Sequence, residues 1–426
     1  MSAPPNADSH PTMAMGACRG NPLLRGVRVL DLSRLLPGPF CSLYLAQLGA
    51  DVIKIEEPGG DYARASAELF EQVNRGKRSI TLDLRQSDDV ARFKALAADA
   101  DVVLESFRPG VMDKLGCGYD TLKRINPRLV YAALTGYGQT GPYRDRAGHD
   151  VNYLAIAGVL DQIGTHGGPP TMSNLQIADL AGGSLTCAIG ILAALFGARA
   201  SGVGSFVDVG MADGSAALQV MALAALRQHG EALPRGDDIF TGALPNYAIY
   251  RCRDGRHLAI GALEPKFYRA LLTGIAPALP GWVNRMVARK LAPRPAGAPS
   301  AAPDDPQAAA RAKLQPFGNA ATDPRDARRI LAPLRWLLTL LFLTRPRDAW
   351  VDLLESADAC VTPVLTLGEA LDNAQLRARG MVLDDGGKPA FNLPIFFDNG
   401  RAVHGPSPAL GADNDGVLSA LAQTTR

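Results

Sequence analysis

Between residues 27 and 134 the chain alternates in a way that leaves few folds open to it. Short runs rich in β-branched residues, at 27–32, 51–55, 79–84, 101–105 and 129–134, are separated by stretches with helical periodicity. Successive strands joined through helices need crossover connections, and these produce a parallel sheet covered by helices. Between two of the runs, Ser87 is placed to cap a helix whose Val90, Phe93, Leu96 and Ala97 share one face, as a helix lying on a sheet requires. The first part of the chain is predicted to be a doubly wound α/β domain.

After Asp150 the character changes. Helical stretches at 151–160, 180–200 and 214–227 surround a strand-like 204–209, and a second strand-rich region starts near Ala243 with 247–252 and 257–260. This pattern reads as a smaller second domain joined to the first by long helices. Residues 291–323, rich in Pro and Ala, cannot bury enough apolar surface to order themselves and read as a flexible insertion within the small domain. Residues 1–20 lack the basic start and apolar run of a signal peptide and read as a disordered tail, so a cytoplasmic location is expected. The uncharged stretch 180–198 would be roughly 28 Å long as a helix, at ~1.5 Å per residue, near bilayer thickness. Its many small residues and the lack of a positively charged loop pattern favour a buried core helix over a membrane span. The run 336–343 reads as a second core helix.

Charge excludes some partners. Lysine and arginine number 44 against 42 acidic residues, so no global field recruits nucleic acid or an acidic membrane. The six cysteines form no Cys-x-x-Cys pair and no zinc-like spacing with histidine, which argues against a metal site or disulfide scaffold. No Gly-x-Gly-x-x-Gly follows the first strand and no Walker-type loop is present, so dinucleotide and ATP chemistry lose ground. In their place stand "LDLSRLLPGPF", with Arg34 after a strand, "GADVIKIEEPGGD", with Lys54 inside one, "NRGKRS", with Arg75 and Lys77, and "ESFRPG", with Arg108 just past a strand end. Ligands of open parallel sheets bind beyond the carboxyl ends of the strands, so these cations are candidates for holding phosphates. From spacing alone, solvated loop residues are the better reading.

These segments, with "NRGKRSITLDL", "FRPGVMDKLG" and "LTGYGQTGPYRDRAGHD", resemble the family III CoA-transferases in sequence and order. The similarity runs over about 22–275 and resumes over about 333–400. It implies a Rossmann-like large domain over 21–205 and 366–426, a linker helix over 206–235, a smaller α+β domain over 236–365, and two subunits interlocked as a homodimer. It also implies an acyl-CoA substrate and no separate cofactor, coenzyme A being part of the substrate. The cations Arg34, Lys54, Arg75, Lys77 and Arg108 are then expected to bind the coenzyme A moiety. Within the family, Asp179 in "QIADLAGGS" matches a shared carboxylate that serves as nucleophile in the transferases and as acid/base in the racemase branch. His149 in "AGHDVNY" and Glu264 in "GALEPKFY" match positions of the α-methylacyl-CoA racemases, where the glutamate orients the histidine across the subunit boundary. The resemblance therefore implies an isomerase of fatty acid and lipid metabolism that inverts the α-methyl carbon of 2-methylacyl-CoA thioesters, with a CoA-transferase as the alternative.

The chemistry accounts for these residue types. Inverting a carbon beside a thioester needs a base on one face, an acid on the other, and stabilisation of the enolate between them. Histidine and aspartate fill those roles if both titrate near working pH, and a carboxylate such as Glu264 fixes the imidazole. Asp179 heads the long apolar helix, whose free amides would meet an enolate oxygen, and Gly182 and Gly183 would let a thioester approach that backbone. Taken singly, Asp179 reads as an N-cap, Asp150 as the cap of a helix starting at Val151 beside an ordinary turn histidine, and Glu264 before Pro265 as a helix start. "DIFTGALPNYAIY" departs from the family's glycine-rich turn near the acyl pocket, which leaves acyl-chain preference open.

Overall fold

The computed structural model describes residues 22–282, 284–285, 328–398 and 402–424. The expected tail at 1–20 and insertion at 291–323 lie outside the described residues. The chain divides into two compact units, one of 1–160, 172–219 and 371–426, the other of 161–171 and 220–370.

The first unit is built on six parallel strands: β1 (Arg28–Asp31), β2 (Asp51–Glu56), β3 (Arg78–Thr81), β4 (Val102–Glu105), β5 (Val130–Thr135) and β6 (Phe206–Gly210), in the order β3-β2-β1-β4-β5-β6. This is a doubly wound sheet whose order reverses between β1 and β4. Alternate residues of each strand face opposite sides. Val29, Val52, Val102, Val130 and Ala132 pack with α1 (Pro37–Gln47) on one face. Leu30, Ile53, Val103 and Tyr131 pack with Phe93 and Leu96 of α2 (Ser87–Ala98) on the other. Ser87 is the first helical residue and does not cap; Gln86 takes the cap position without a side-chain bond.

The edge strand β3 is covered by the returning C-terminal segment. Ser79 N–H donates to the Asp413 carboxylate at 2.9 Å and Thr81 N–H to Asn414 Oδ1 at 2.8 Å, so the residues that open α9 (Asn414–Thr424) cover open ladder positions. Between the start and the return of this unit lie α3 (Asp150–Ile156), a turn wound with i→i+5 bonds over Ala178–Leu185 that continues into α4 (Thr186–Ser201), and α5 (Met211–Ala217). Two expectations change here. The stretch 206–235 is not a linker helix, because 206–210 pairs in register with β5 and α5 packs onto the i→i+5 turn; the second unit resumes with α6 (Val220–His229). The long apolar helix is buried on one side only: Cys187, Ile191 and Leu195 enter the core, while Ile189 and Phe196 are 69% and 79% exposed.

The second unit centres on the antiparallel strands β7 (Tyr247–Arg251), β8 (His257–Gly261) and β9 (Val361–Pro363). Tyr250, Leu258 and Ile260 pack with Leu271 and Ile275 of α7 (Pro265–Ile275), Leu338 and Phe342 of α8 (Ala332–Phe342), and Trp350. The helix foreseen at 336–343 thus has a core face, though Trp336 itself is 65% exposed.

Candidate active site

The carboxyl ends of the strands open into a cleft of about 760 Å³ at the point where the strand order reverses. Its walls are 34–37 after β1, 106–109 after β4, 134–137 at the end of β5 and 146–149 before α3, closed by Asn152, Tyr153, Asp179 and Met211. Both His149 and Asp179, 30 positions apart in sequence, line it.

Asp179 is not a helix cap. It lies inside the i→i+5 turn, whose widened winding is anchored by Ser184: its hydroxyl sits 2.7 Å from the Asp179 carbonyl and 2.6 Å from the Pro37 carbonyl and shares its one proton between them. Such turns often mark functional positions in helices. The N–H of Asp179 donates to Asp150 Oδ1 at 3.0 Å, and that of Leu180 to the Gln176 carbonyl at 2.9 Å, so these amides are not free to meet an enolate oxygen. The Asp179 carboxyl is pushed up to about 7, first by desolvation in the cleft and then by the like charge of Asp150. Gly182 and Gly183 face α5, and neither is among the residues lining the cleft. A Cβ on Gly182 would lie 2.6 Å from Ser215 Oγ, and one on Gly214 1.9 Å from the Gly182 carbonyl, so glycine here brings the turn and α5 into backbone contact.

His149 is the N-cap of α3, which begins at Asp150 rather than Val151. Its N–H donates to Asn152 Oδ1 at 3.0 Å, and its side chain is exposed at the cleft rim. Tyr153, one turn on, donates its hydroxyl to the Gly148 carbonyl at 2.5 Å. Its ring fits because residues 136 and 148 are glycines; a Cβ at either would come within 2.4 and 2.7 Å of it. Burial raises the Tyr153 phenol to about 12, with Asp179 the largest charge acting on it.

The cations divide into two groups. Arg34 and Arg108 line the cleft, joined by Arg144 and Arg146. Arg34 sits between the rings of Tyr62 and Phe107, 5.5 and 4.9 Å from their centroids, and pairs with Glu57 at 3.2 Å. An adjoining hollow of about 300 Å³ shares Arg34 and Phe107 and has Leu32, Ile55, Leu82 and Val111 in its walls.

Lys54, Arg75 and Lys77 do not line the cleft, because each is held by partners of its own. Lys54 is fully buried, paired with Asp61 at 2.8 Å and donating to the Ser33 carbonyl at 2.9 Å. Lys77 is enclosed by Asp31 at 3.2 Å, the Pro39 carbonyl and Asn74 Oδ1; desolvation brings its ammonium down to about 8 against the opposing pull of Asp31. Burial alone would raise the Asp31 carboxyl, but Lys77, Lys54 and the hydroxyls of Ser33 and Ser42 together hold it below its usual value. Arg75 donates to the Phe391 carbonyl at 3.0 Å.

The buried pairs shape the cleft instead. Asp61 Oδ1 accepts the N–H of Leu35 at 3.0 Å, and Leu35, a wall residue, has a φ of 62°, a left-handed conformation that a leucine keeps only where its surroundings impose it.

Glu264 lies in the second unit as the exposed N-cap of α7 and is not among the residues lining the cleft. Reasoning from sequence overlooked Tyr153, Arg144 and Arg146, and read Asp150 only as a helix cap. Each stands in or beside "YRDRAGHDVNY", so proximity to His149 was the available signal.

Comparison with known proteins agrees with this architecture. The sequence matches the profile of CoA-transferase family III over residues 24–294 and 298–414. It is 36% identical over 364 residues to the α-methylacyl-CoA racemase of Mus musculus, covering 85% of this chain and 83% of that one. To the acetyl-CoA:oxalate CoA-transferase of Acetobacter aceti it is 32% identical over 406 residues, covering 92% and 93%. Among solved structures, a CAIB/BAIF family protein from Brucella suis superposes with a TM-score of 0.77 at 28% identity, over 95% of this chain and all of that one. With a profile match over most of its length, the chain belongs to CoA-transferase family III, the group of enzymes that includes both the racemase and the transferases.

Proposed function

We propose that the protein inverts the α-methyl carbon of 2-methylacyl-CoA thioesters by moving one proton off and another on through an enolate. The observation that carries this reading is the pairing of His149 and Asp179 in one cleft, with the Asp179 carboxyl raised to about 7. A carboxylate near neutrality both takes and returns a proton at working pH. As the nucleophile of a transferase, the same group gains nothing from being half protonated. The racemase of Mus musculus, 36% identical, supports the same choice; CoA-transferases of comparable identity keep the alternative in play.

In this reading one epimer loses its α-proton to Asp179 and receives one from His149 on the opposite face, and the other epimer follows the reverse course. Arg34, Arg108, Arg144 and Arg146 meet the phosphates of coenzyme A, and the adjoining apolar hollow takes its base. The active form is a homodimer in which Glu264 of the partner subunit orients His149. The exposed Ile189 and Phe196 on α4, with Met172 and Leu175, supply apolar surface of the kind an obligate interface covers. Because coenzyme A arrives with the substrate, the reaction as drawn needs no further cofactor.

The test is incubation of the purified protein with a 2-methylacyl-CoA in D₂O. Incorporation of one deuterium at the α-carbon together with loss of optical purity is expected. Transfer of coenzyme A to an added free acid without α-exchange would instead establish the transferase.

A further inference from the structure

Asp150 occupies an unusual position between the two acid/base groups. It is the first residue of α3, directly after His149, and its Oδ1 accepts the backbone N–H of Asp179 at 3.0 Å across 29 residues of sequence. A carboxylate in the first turn of a helix would ordinarily serve that helix's own amides; this one serves the neighbouring turn. We propose that Asp150 is a positioning residue that ties the segment carrying His149 to Asp179 through this hydrogen bond and, by its own negative charge, makes Asp179 the more ready proton acceptor. The proposal rests on the acid/base reading of Asp179.

The arrangement has two separable parts. The hydrogen bond fixes the backbone at Asp179 against α3, so the spacing between the two groups does not depend on substrate. The charge acts on protonation, since two carboxylates close together in a desolvated cleft resist ionising together. Other titratable and charged groups on the elements packed against the Asp179 turn are Tyr153 on α3, Asp213 on α5, Cys41 and Tyr44 on α1, Cys187 and Arg199 on α4, Tyr131 on β5, and Asp208 on β6. Arg108, in the cleft wall, acts on Tyr153, and Asp150 is the charged group that acts with desolvation on Asp179.

Asp150→Asn separates the parts, because an amide oxygen still accepts the Asp179 N–H while the charge is gone; Asp150→Ala removes both. The first readout does not depend on turnover: the carboxyl ¹³C resonance of Asp179, assigned by its loss in Asp179→Asn, is followed against pH. Its midpoint is expected to move to lower pH in both Asp150 variants. The second readout is the pH dependence of kcat/KM for each epimer. With Asp150→Asn, the acidic limb should move down for the epimer that Asp179 deprotonates and the basic limb should move down for the other, because Asp179 is base in one direction and acid in the reverse. With Asp150→Ala, kcat should fall about tenfold further, the fold-change of one lost hydrogen bond, with KM little altered.

An unmoved ¹³C midpoint in Asp150→Asn overturns the proposal. Equal kcat in the Asn and Ala variants overturns its positioning half. If wild-type protein shows no α-exchange while the midpoint still moves, the link between Asp150 and Asp179 stands and the racemase reading falls.

Discussion

Asp179 carries a cost that the fold tolerates. Its carboxyl titrates near 7 in the folded chain against an ordinary value of 3.8. Below pH 3.8 the group is protonated folded and unfolded and has no effect on stability. As pH rises, the unfolded chain ionises first, so the group increasingly favours unfolding, and the effect is complete above pH 7. The full shift corresponds to about 4 kcal/mol, less in a solvent-open cleft. Asp179→Asn is therefore expected to raise the melting temperature at pH 8 and leave it unchanged at pH 3.5, while abolishing turnover, the pattern of a residue kept for function. A variant equally stabilised at both pH values would mean that the Asp179 charge is not the source. The cations make the complementary case. Arg108→Ala should raise KM with little change in melting, since contacts to the coenzyme end are made alike in ground and transition states. Lys77→Ala should cost about 3–5 kcal/mol of stability, the usual cost of stripping one partner from a buried pair. From sequence the two were indistinguishable, because "NRGKRS" and "ESFRPG" both place cations near strand ends. Only the pairing of Lys77 with Asp31, 46 positions away, separates them.

At the level of elements, the i→i+5 turn at Ala178–Leu185 depends on its glycines for contact with α5. Gly182→Ala would drive a Cβ to 2.6 Å from Ser215 Oγ and 2.9 Å from the Met211 carbonyl. Overpacking of this kind costs about 1–3 kcal/mol, and the turn it displaces carries Asp179. Both melting temperature and kcat should fall in this variant. A rise in KM at unchanged melting temperature would restore the idea that this glycine admits the thioester. The strands of the large sheet were legible because β-branched runs between helical stretches have few other readings, and the structure moves their ends by only a few residues. The i→i+5 winding was not legible: "ADLAGGSL" has the composition of an ordinary helix, and the widening is tied to Ser184 bonding back to the Asp179 carbonyl and on to Pro37. Nor was the role of 206–210, whose pairing with β5 depends on the register of a strand some 75 positions earlier.

For the whole molecule, the decisive question is where Glu264 acts. Asp179 and His149 belong to one unit and Glu264 to the other, and the proposed dimer places His149 of one subunit beside Glu264 of the partner subunit. Complementation tests that arrangement directly. His149→Ala and Glu264→Ala proteins should each lose most inversion, by a factor within the ~10²- to 10⁴-fold range of a lost acid/base for the first and by less for the second, which loses only an orienting group. Co-expressed with two different tags and purified through both, the heterodimer has one site lacking both residues and one site lacking neither. Its inversion rate should recover to about half that of the wild-type dimer, because a two-fold dimer holds two equivalent sites. If His149 and Glu264 act within the same chain, each site of the heterodimer keeps one defect and the rate stays at the mean of the two parents. Phe196→Glu supplies the control for assembly: a charge on the exposed face of α4 should lower the mass found by light scattering from dimer to monomer and remove inversion, while leaving the ¹³C titration of Asp179 in place. A monomeric variant that still inverted both epimers at the wild-type rate would show that the site is complete in a single chain.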